Sequence, residues 1–194
     1  LFPINQLQQL TTTEAPQVAI FGDGPVGYLA ASALHFIYDI HPSNLIVFGA
    51  DSQKLAAFES FATTHLVFDY NFTQHRGVHT VFECTGGHFS ESAINQAIDL
   101  IERQGQLILM GVTEDLVGIN TRDILEKGLT LSGSSRSTKR EFEQLIAAFA
   151  NPNYQQVLQQ LIPEQAYDIY NTADLTTAME DTVQHKGWTK TYLQ

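Results

Sequence analysis

The sequence predicts an α/β fold, a doubly wound parallel sheet with helices on both faces. Short apolar runs recur along the chain, and they end on or just before glycine. Between them lie stretches with apolar residues at three- and four-residue spacing, the period of a helix buried on one face. At 194 residues the chain is long enough for one such domain.

The elements follow in order. Gln17 to Phe21 is a buried-strand run closed by Gly22. Val26, Leu29, Ala30, Ala33, Leu34 and Ile37 give a helix from Pro25 to Tyr38, with proline in a first turn that tolerates it. Leu45 to Phe48 is a second strand and Ser52 to Phe61 a second helix; His65 to Phe68 is a short strand. Thr80 to Cys84 is a strand ahead of Gly86-Gly87. Ser90 is placed to cap a helix that buries Ala93, Ile94, Ala97, Ile98 and Ile101. Gln106 to Met110, closed by Gly111, and Leu129 to Leu131, before Gly133, are the last main strands. Thr138 and Glu141 have capping-box spacing ahead of Phe142, Leu145, Ile146 and Phe149. A helix from about Thr172 and the stretch Trp188 to Leu193 complete the chain.

Composition narrows the function classes. Ten Lys and Arg against 21 Asp and Glu give a formal charge of −11, which repels nucleic acid and anionic lipid. No run of about 18 apolar residues is present to span a membrane. One cysteine, Cys84, excludes an internal disulfide framework and points to a reducing, cytoplasmic setting. Seven histidines show no metal-ligand spacing, so neither a metal site nor a catalytic residue is read here. The chain begins with Leu1, which suggests a processed product or part of a longer polypeptide.

The sharpest motif is Gly22-Asp23-Gly24-Pro25-Val26-Gly27, a G-x-G-x-x-G pattern between a strand and a helix. Gly22 permits a tight turn, Gly24 leaves room for a pyrophosphate, and Gly27 lets the helix approach the sheet. The helix N-terminus offers unpaired N–H groups to phosphate. This predicts a Rossmann-type dinucleotide site; a glycine turn needed only for packing is the plainer alternative. Asp23 must then point away from the phosphates.

An acid at the end of the second strand selects NAD by accepting from both ribose hydroxyls. That position is Gly49, where no carboxylate would repel a 2′-phosphate, and Ser52 and Lys54 are placed to donate to one. Asp51 supplies an acid instead if the strand ends late. The reading favours NADP(H), with NAD(H) second. At Glu83-Cys84-Thr85-Gly86-Gly87, small residues leave room for a cofactor to cross the sheet edge. Cys84 itself reads as a buried apolar residue with no activating His or Asp. Arg136, just past the last strand, is a candidate phosphate anchor or a solvated residue.

Together these residues resemble the nucleotide-binding domain of the zinc-type medium-chain alcohol dehydrogenases. Within that family the chain is most similar to the ribulose-5-phosphate reductases, which make ribitol 5-phosphate for wall teichoic acid or capsule. Phe82-Glu83-Cys84-Thr85-Gly86-Gly87, Leu109-Met110-Gly111-Val112 and Leu125 to Ser137 carry the second likeness.

The resemblance implies a role for each motif. Gly22, Gly24, Pro25, Val26 and Gly27 would hold the pyrophosphate, and Gly49, Ser52 and Lys54 the 2′-phosphate of NADPH. Cys84 and Thr85 would line the adenosine side. Gly111, Val112 and Ser134 would present backbone groups to the nicotinamide carboxamide, and Lys190 would add a basic pyrophosphate contact. A homodimer would form through strand 129–133. Catalytic zinc would sit only in an N-terminal domain absent from this chain, which alone would be inert. A phosphorylated sugar would be the substrate of the full-length enzyme.

The implied division is a linker or the end of a preceding segment at 1–15, an NAD(P)-binding Rossmann domain at 16–150, and an extension at 151–194. That extension would pack on the Rossmann domain and towards the missing one. Rival readings are a stand-alone dinucleotide sensor, an NAD-dependent polyol dehydrogenase, and a methyltransferase using S-adenosylmethionine.

Overall fold

Six strands form one all-parallel sheet in the order β3-β2-β1-β4-β5-β6. They are β1 (Val18–Phe21), β2 (Leu45–Gly49), β3 (Thr63–Leu66), β4 (Val78–Glu83), β5 (Ile101–Leu109) and β6 (Thr130–Gly133). The computed structural model describes residues 16–74, 77–163, 166–184, 188–189 and 191–194. The strand order reverses between β1 and β4, and parallel sheets open a crevice at the carboxyl ends of such strands.

The helices are α1 (Pro25–Phe36), α2 (Ser52–Ala56), α3 (Ser90–Leu100), α4 (Thr121–Lys127), α5 (Lys139–Ala148), α6 (Pro152–Leu158) and α7 (Thr172–Gln184). Alternation along β1 divides the core between the two faces of the sheet. Val18 and Ile20 join Tyr28, Leu34, Phe58 and Phe61 on one side. Ala19 and Phe21 join Phe48, Ile94, Ala97 and Ile98 on the other. Both layers are buried, as a sheet covered on two faces requires.

The chain departs from its sequence reading at several points. The second helix stops at Ala56, because Phe58 and Phe61 reach the core through successive turns rather than a longer helix. The third strand begins earlier, at Thr63, where pairing with β2 fixes it. Ser90 is not a cap: it is the first residue of α3, and its buried hydroxyl donates to Glu83. Two helices went unread. Asn120 caps α4 and Gly128 ends it in a left-handed conformation. Asn151 caps α6, which opens on Pro152.

The capping box at the start of α5 is present, with Thr138 and Glu141 bonded reciprocally. Beyond residue 150 the chain folds back on α1. The Asn151 amide donates to the Phe36 carbonyl at 3.1 Å, and the Tyr28 hydroxyl donates to the Val157 carbonyl at 3.1 Å. The Trp188 ring lies 4.4 Å from that of Tyr28 and 5.3 Å from that of Phe58. No helix among the described residues is long and apolar enough to cross a membrane.

Candidate functional site

A cavity of about 430 Å³ opens at the carboxyl edge of β1, β2 and β4. It brings together Gly22, Gly24, Gly49, Lys54, Cys84 and Thr85 from three separate segments. Ser52 lies outside its lining, exposed in the first turn of α2.

The three fingerprint glycines differ in what they tolerate. A Cβ on Gly22, whose φ is +123°, would lie 2.9 Å from the Cys84 carbonyl carbon. One on Gly27 would lie 2.0 Å from the Gly22 carbonyl oxygen. The loop's own carbonyl, more than the sheet, therefore forbids a side chain at 27. A Cβ on Gly24 would meet nothing within 4 Å. Gly22 and Gly27 hold the loop tight, and Gly24 keeps its mouth open. The first turn of α1 has no side-chain cap and no acid, so its free N–H groups face that opening. A bound pyrophosphate fits this cradle.

Asp23 does point away from the loop mouth. Its Oδ2 accepts from the Ala50 and Asp51 N–H groups, each at 2.8 Å. Its own carbonyl accepts from Trp188 Nε1 at 2.7 Å. Asp51 Oδ1 is committed as the cap of α2, accepting from the Gln53 and Lys54 N–H groups. The ammonium of half-buried Lys54 has no carboxylate partner among the described residues.

Glu83, buried at the end of β4, went unread as an organiser of this edge. Its Oε1 accepts from the Thr85 N–H and hydroxyl, from the Gly86 N–H and from the Ser90 hydroxyl. Its Oε2 accepts from the Gly111 N–H at 3.2 Å. One carboxylate thus ties the loop after β4 to the loop after β5, with charge-assisted bonds and no cation. The sequence signal was an acid at a strand end followed by Cys-Thr-Gly-Gly.

That arrangement narrows which backbone groups of Gly111, Val112 and Ser134 remain for a ligand. The Gly111 N–H is consumed by Glu83, and the Ser134 N–H donates to the Leu109 carbonyl at 2.9 Å. The Val112 carbonyl accepts from Gly87 at 2.8 Å. What stays open to a ligand among these three residues is the Gly111 carbonyl, the Ser134 carbonyl and the Val112 N–H. Val112 is 82% exposed and, with His88, borders a second cavity of about 320 Å³.

Cys84 is buried, and burial together with the neighbouring Glu83 charge pushes its thiol well above the usual range. It lines the cavity as an inert small group. Pro25 and Val26 form the first turn of α1. Arg136 is exposed between β6 and α5 with φ +66°, a left-handed backbone that a non-glycine residue adopts at a cost. Lys190 lies outside the described residues, as does the segment 1–15. Among the described residues no three His, Cys, Asp or Glu side chains come together to hold a metal ion.

Comparison with known proteins agrees with this geometry. The chain is 36% identical over 196 residues to ribulose-5-phosphate reductase 1 of Staphylococcus aureus (strain NCTC 8325 / PS 47), covering 100% of the chain and 55% of that protein. It is 38% identical over 143 residues to ribulose-5-phosphate reductase of Streptococcus pneumoniae (strain ATCC BAA-255 / R6), covering 74% of the chain and 40% of that protein. The crystal structure of S. aureus TarJ in complex with NADPH superposes with a TM-score of 0.88 at 35% identity, over 98% of this chain and 59% of that one. The chain therefore spans about half the length of the curated relatives it matches. The family model for the zinc-binding dehydrogenases matches residues 25–151, and the chain belongs to that family.

Proposed function

We propose that this chain is the NADP(H)-holding part of an oxidoreductase that moves hydride between the nicotinamide and a polyol or sugar phosphate, most specifically ribulose 5-phosphate to ribitol 5-phosphate. The carrying observation is the cradle itself: an uncapped helix N-terminus behind Gly24, where a side chain would meet open space. The relatives' names support the substrate, and NADPH in the TarJ complex supports the cofactor.

The nicotinamide supplies the hydride when bound; the chain's own residues hold and orient the molecule that carries it. The loop Gly22 to Gly27 holds the pyrophosphate: Gly22 shapes the turn, Gly24 leaves room, Pro25, which has no N–H, opens the helix, Val26 and Gly27 offer backbone N–H groups, and Lys190 adds charge. Lys54 meets the 2′-phosphate from inside the cavity, and Ser52 from its rim. Gly49, Cys84 and Thr85 flank the adenosine. The Gly111 and Ser134 carbonyls accept from the carboxamide N–H₂, and the Val112 N–H donates to its oxygen. Arg136, exposed just past β6, anchors the substrate phosphate. The zinc and its ligands belong to the remainder of the longer enzyme. Residues 16–150 serve as the binding domain and 151–194 as a brace behind it. β6, with β5 on one side only, offers its free edge to a second copy. The setting is the cytoplasm, where a lone thiol stays reduced.

Calorimetric titration of the chain tests the reading. NADPH should bind saturably and more tightly than NADH; no saturable binding of either overturns it. In the longer protein, NADPH should be consumed with ribulose 5-phosphate and not with unphosphorylated ribulose.

A further inference from the structure

The side chain missing from Gly49 has left no empty space. A Cβ built there would lie 2.7 Å from Asp23 Cβ, 2.7 Å from Asp23 Oδ2 and 2.8 Å from Leu55 Cδ2. The Asp23 carboxylate occupies the ground that a residue-49 side chain would take. It enters from the fingerprint loop, 26 positions earlier in the chain. The end of β2 therefore carries a carboxylate although β2 itself supplies none.

We propose that Asp23 is the specificity-determining acid at the ribose end of this site, and that residue 49 is glycine to admit it. The inference rests on the dinucleotide reading above. Three features of the geometry support it. Asp23 lines the same cavity as Gly49 and Lys54. Its Oδ2 takes the Ala50 and Asp51 N–H groups, which removes both backbone donors from the reach of a 2′-phosphate. Its Oδ1 has no donor among the described residues, and so is left to accept from a ribose hydroxyl. Two N–H bonds soften the charge of Asp23 without cancelling it. A 2′-phosphate binds beside Lys54 against that residual charge, and a ribose diol does not. The site accordingly favours NADPH less than its own lysine would allow.

The test uses calorimetry on the unaltered chain and on Asp23→Asn, which keeps an oxygen for both N–H groups and removes the charge. The ratio of NADPH to NADH affinity should rise about fivefold or more, the size of one unit charge at a wet rim. A ratio unchanged within twofold, in a chain that itself binds both nucleotides, overturns the inference and leaves the dinucleotide reading standing. No binding of either nucleotide to the unaltered chain overturns both.

A second arm needs no nucleotide. Gly49→Ala should lower the melting temperature, and the same change in an Asp23→Gly background should lower it much less. Equal losses in the two backgrounds overturn the claim that glycine 49 exists for Asp23.

Discussion

A Cβ on residue 111 would fall 2.6 Å from both carboxylate oxygens of Glu83. The glycine after β5 and the acid ending β4 thus share a space that admits no larger neighbour. Gly111→Ala must push the carboxylate off its donors or lift one loop from the other. The expected loss is about 1–3 kcal/mol of stability, the usual cost of overpacking. Urea unfolding measures it, and a loss below about 0.5 kcal/mol would show that the loops yield freely.

Glu83→Gln keeps the shape and turns one acceptor into a donor facing other donors. About 1–3 kcal/mol should be lost, because at least one buried N–H or hydroxyl is stranded. Amide hydrogen exchange provides the specific readout: the Thr85, Gly86 and Gly111 N–H groups should lose protection together. Independent behaviour of the two loops would contradict the bridge described here.

The three fingerprint glycines should separate folding from binding. Gly24→Ala places a methyl group in open space, so the melting temperature should hold while NADPH affinity falls tenfold or more, about 1.4 kcal/mol. Gly27→Ala drives a methyl group into the Gly22 carbonyl, so stability and binding should fall together. Calorimetry paired with thermal melting distinguishes the two; identical profiles would refute the division of labour.

Burial pushes the Tyr28 phenol up from its ordinary value of 10.0 to about 12. Between those values the unfolded chain gives up the proton and the folded chain keeps it. The stabilisation is therefore complete below pH 10 and is lost as pH rises towards 12, at about 1.4 kcal/mol per pH unit for this group. Tyr28→Phe should flatten that alkaline slope. It should also cost about 1 kcal/mol at neutral pH, through the bond to the Val157 carbonyl. Urea midpoints across pH 8–12 check both.

The sheet was legible because its signal is local. Each apolar run of β1, β2, β4 and β5 is set by residues that all face a core, and glycine marks where it stops. The G-x-G-x-x-G stretch was legible for the same reason, since its turn and helix start are contiguous. The short helices α4 and α6 were missed although Asn120, Gly128 and the Asn151-Pro152 pair were in plain view. A seven-residue helix shows too little periodicity to declare itself.

What the sequence hid depends on parallel pairing. Asp23 meets Ala50 only because β1 lies beside β2 in register. Glu83 meets Gly111 only because β4 lies beside β5. The glycine at 49 read as a strand end free of any carboxylate because its spatial neighbour Asp23 lies 26 residues away. Which backbone groups of Gly111 and Ser134 are already bonded is equally hidden, because their partners Glu83 and Leu109 lie on neighbouring strands.

Trp188 is the chain's one tryptophan, and its indole N–H is bonded to the loop whose shape a ligand must meet. The molecule thus has a single tryptophan reporter, wired by a hydrogen bond to the fingerprint and packed at a tilt against Tyr28. Its emission needs no label and has no second tryptophan to dilute it, so any movement of that loop is written into one spectrum.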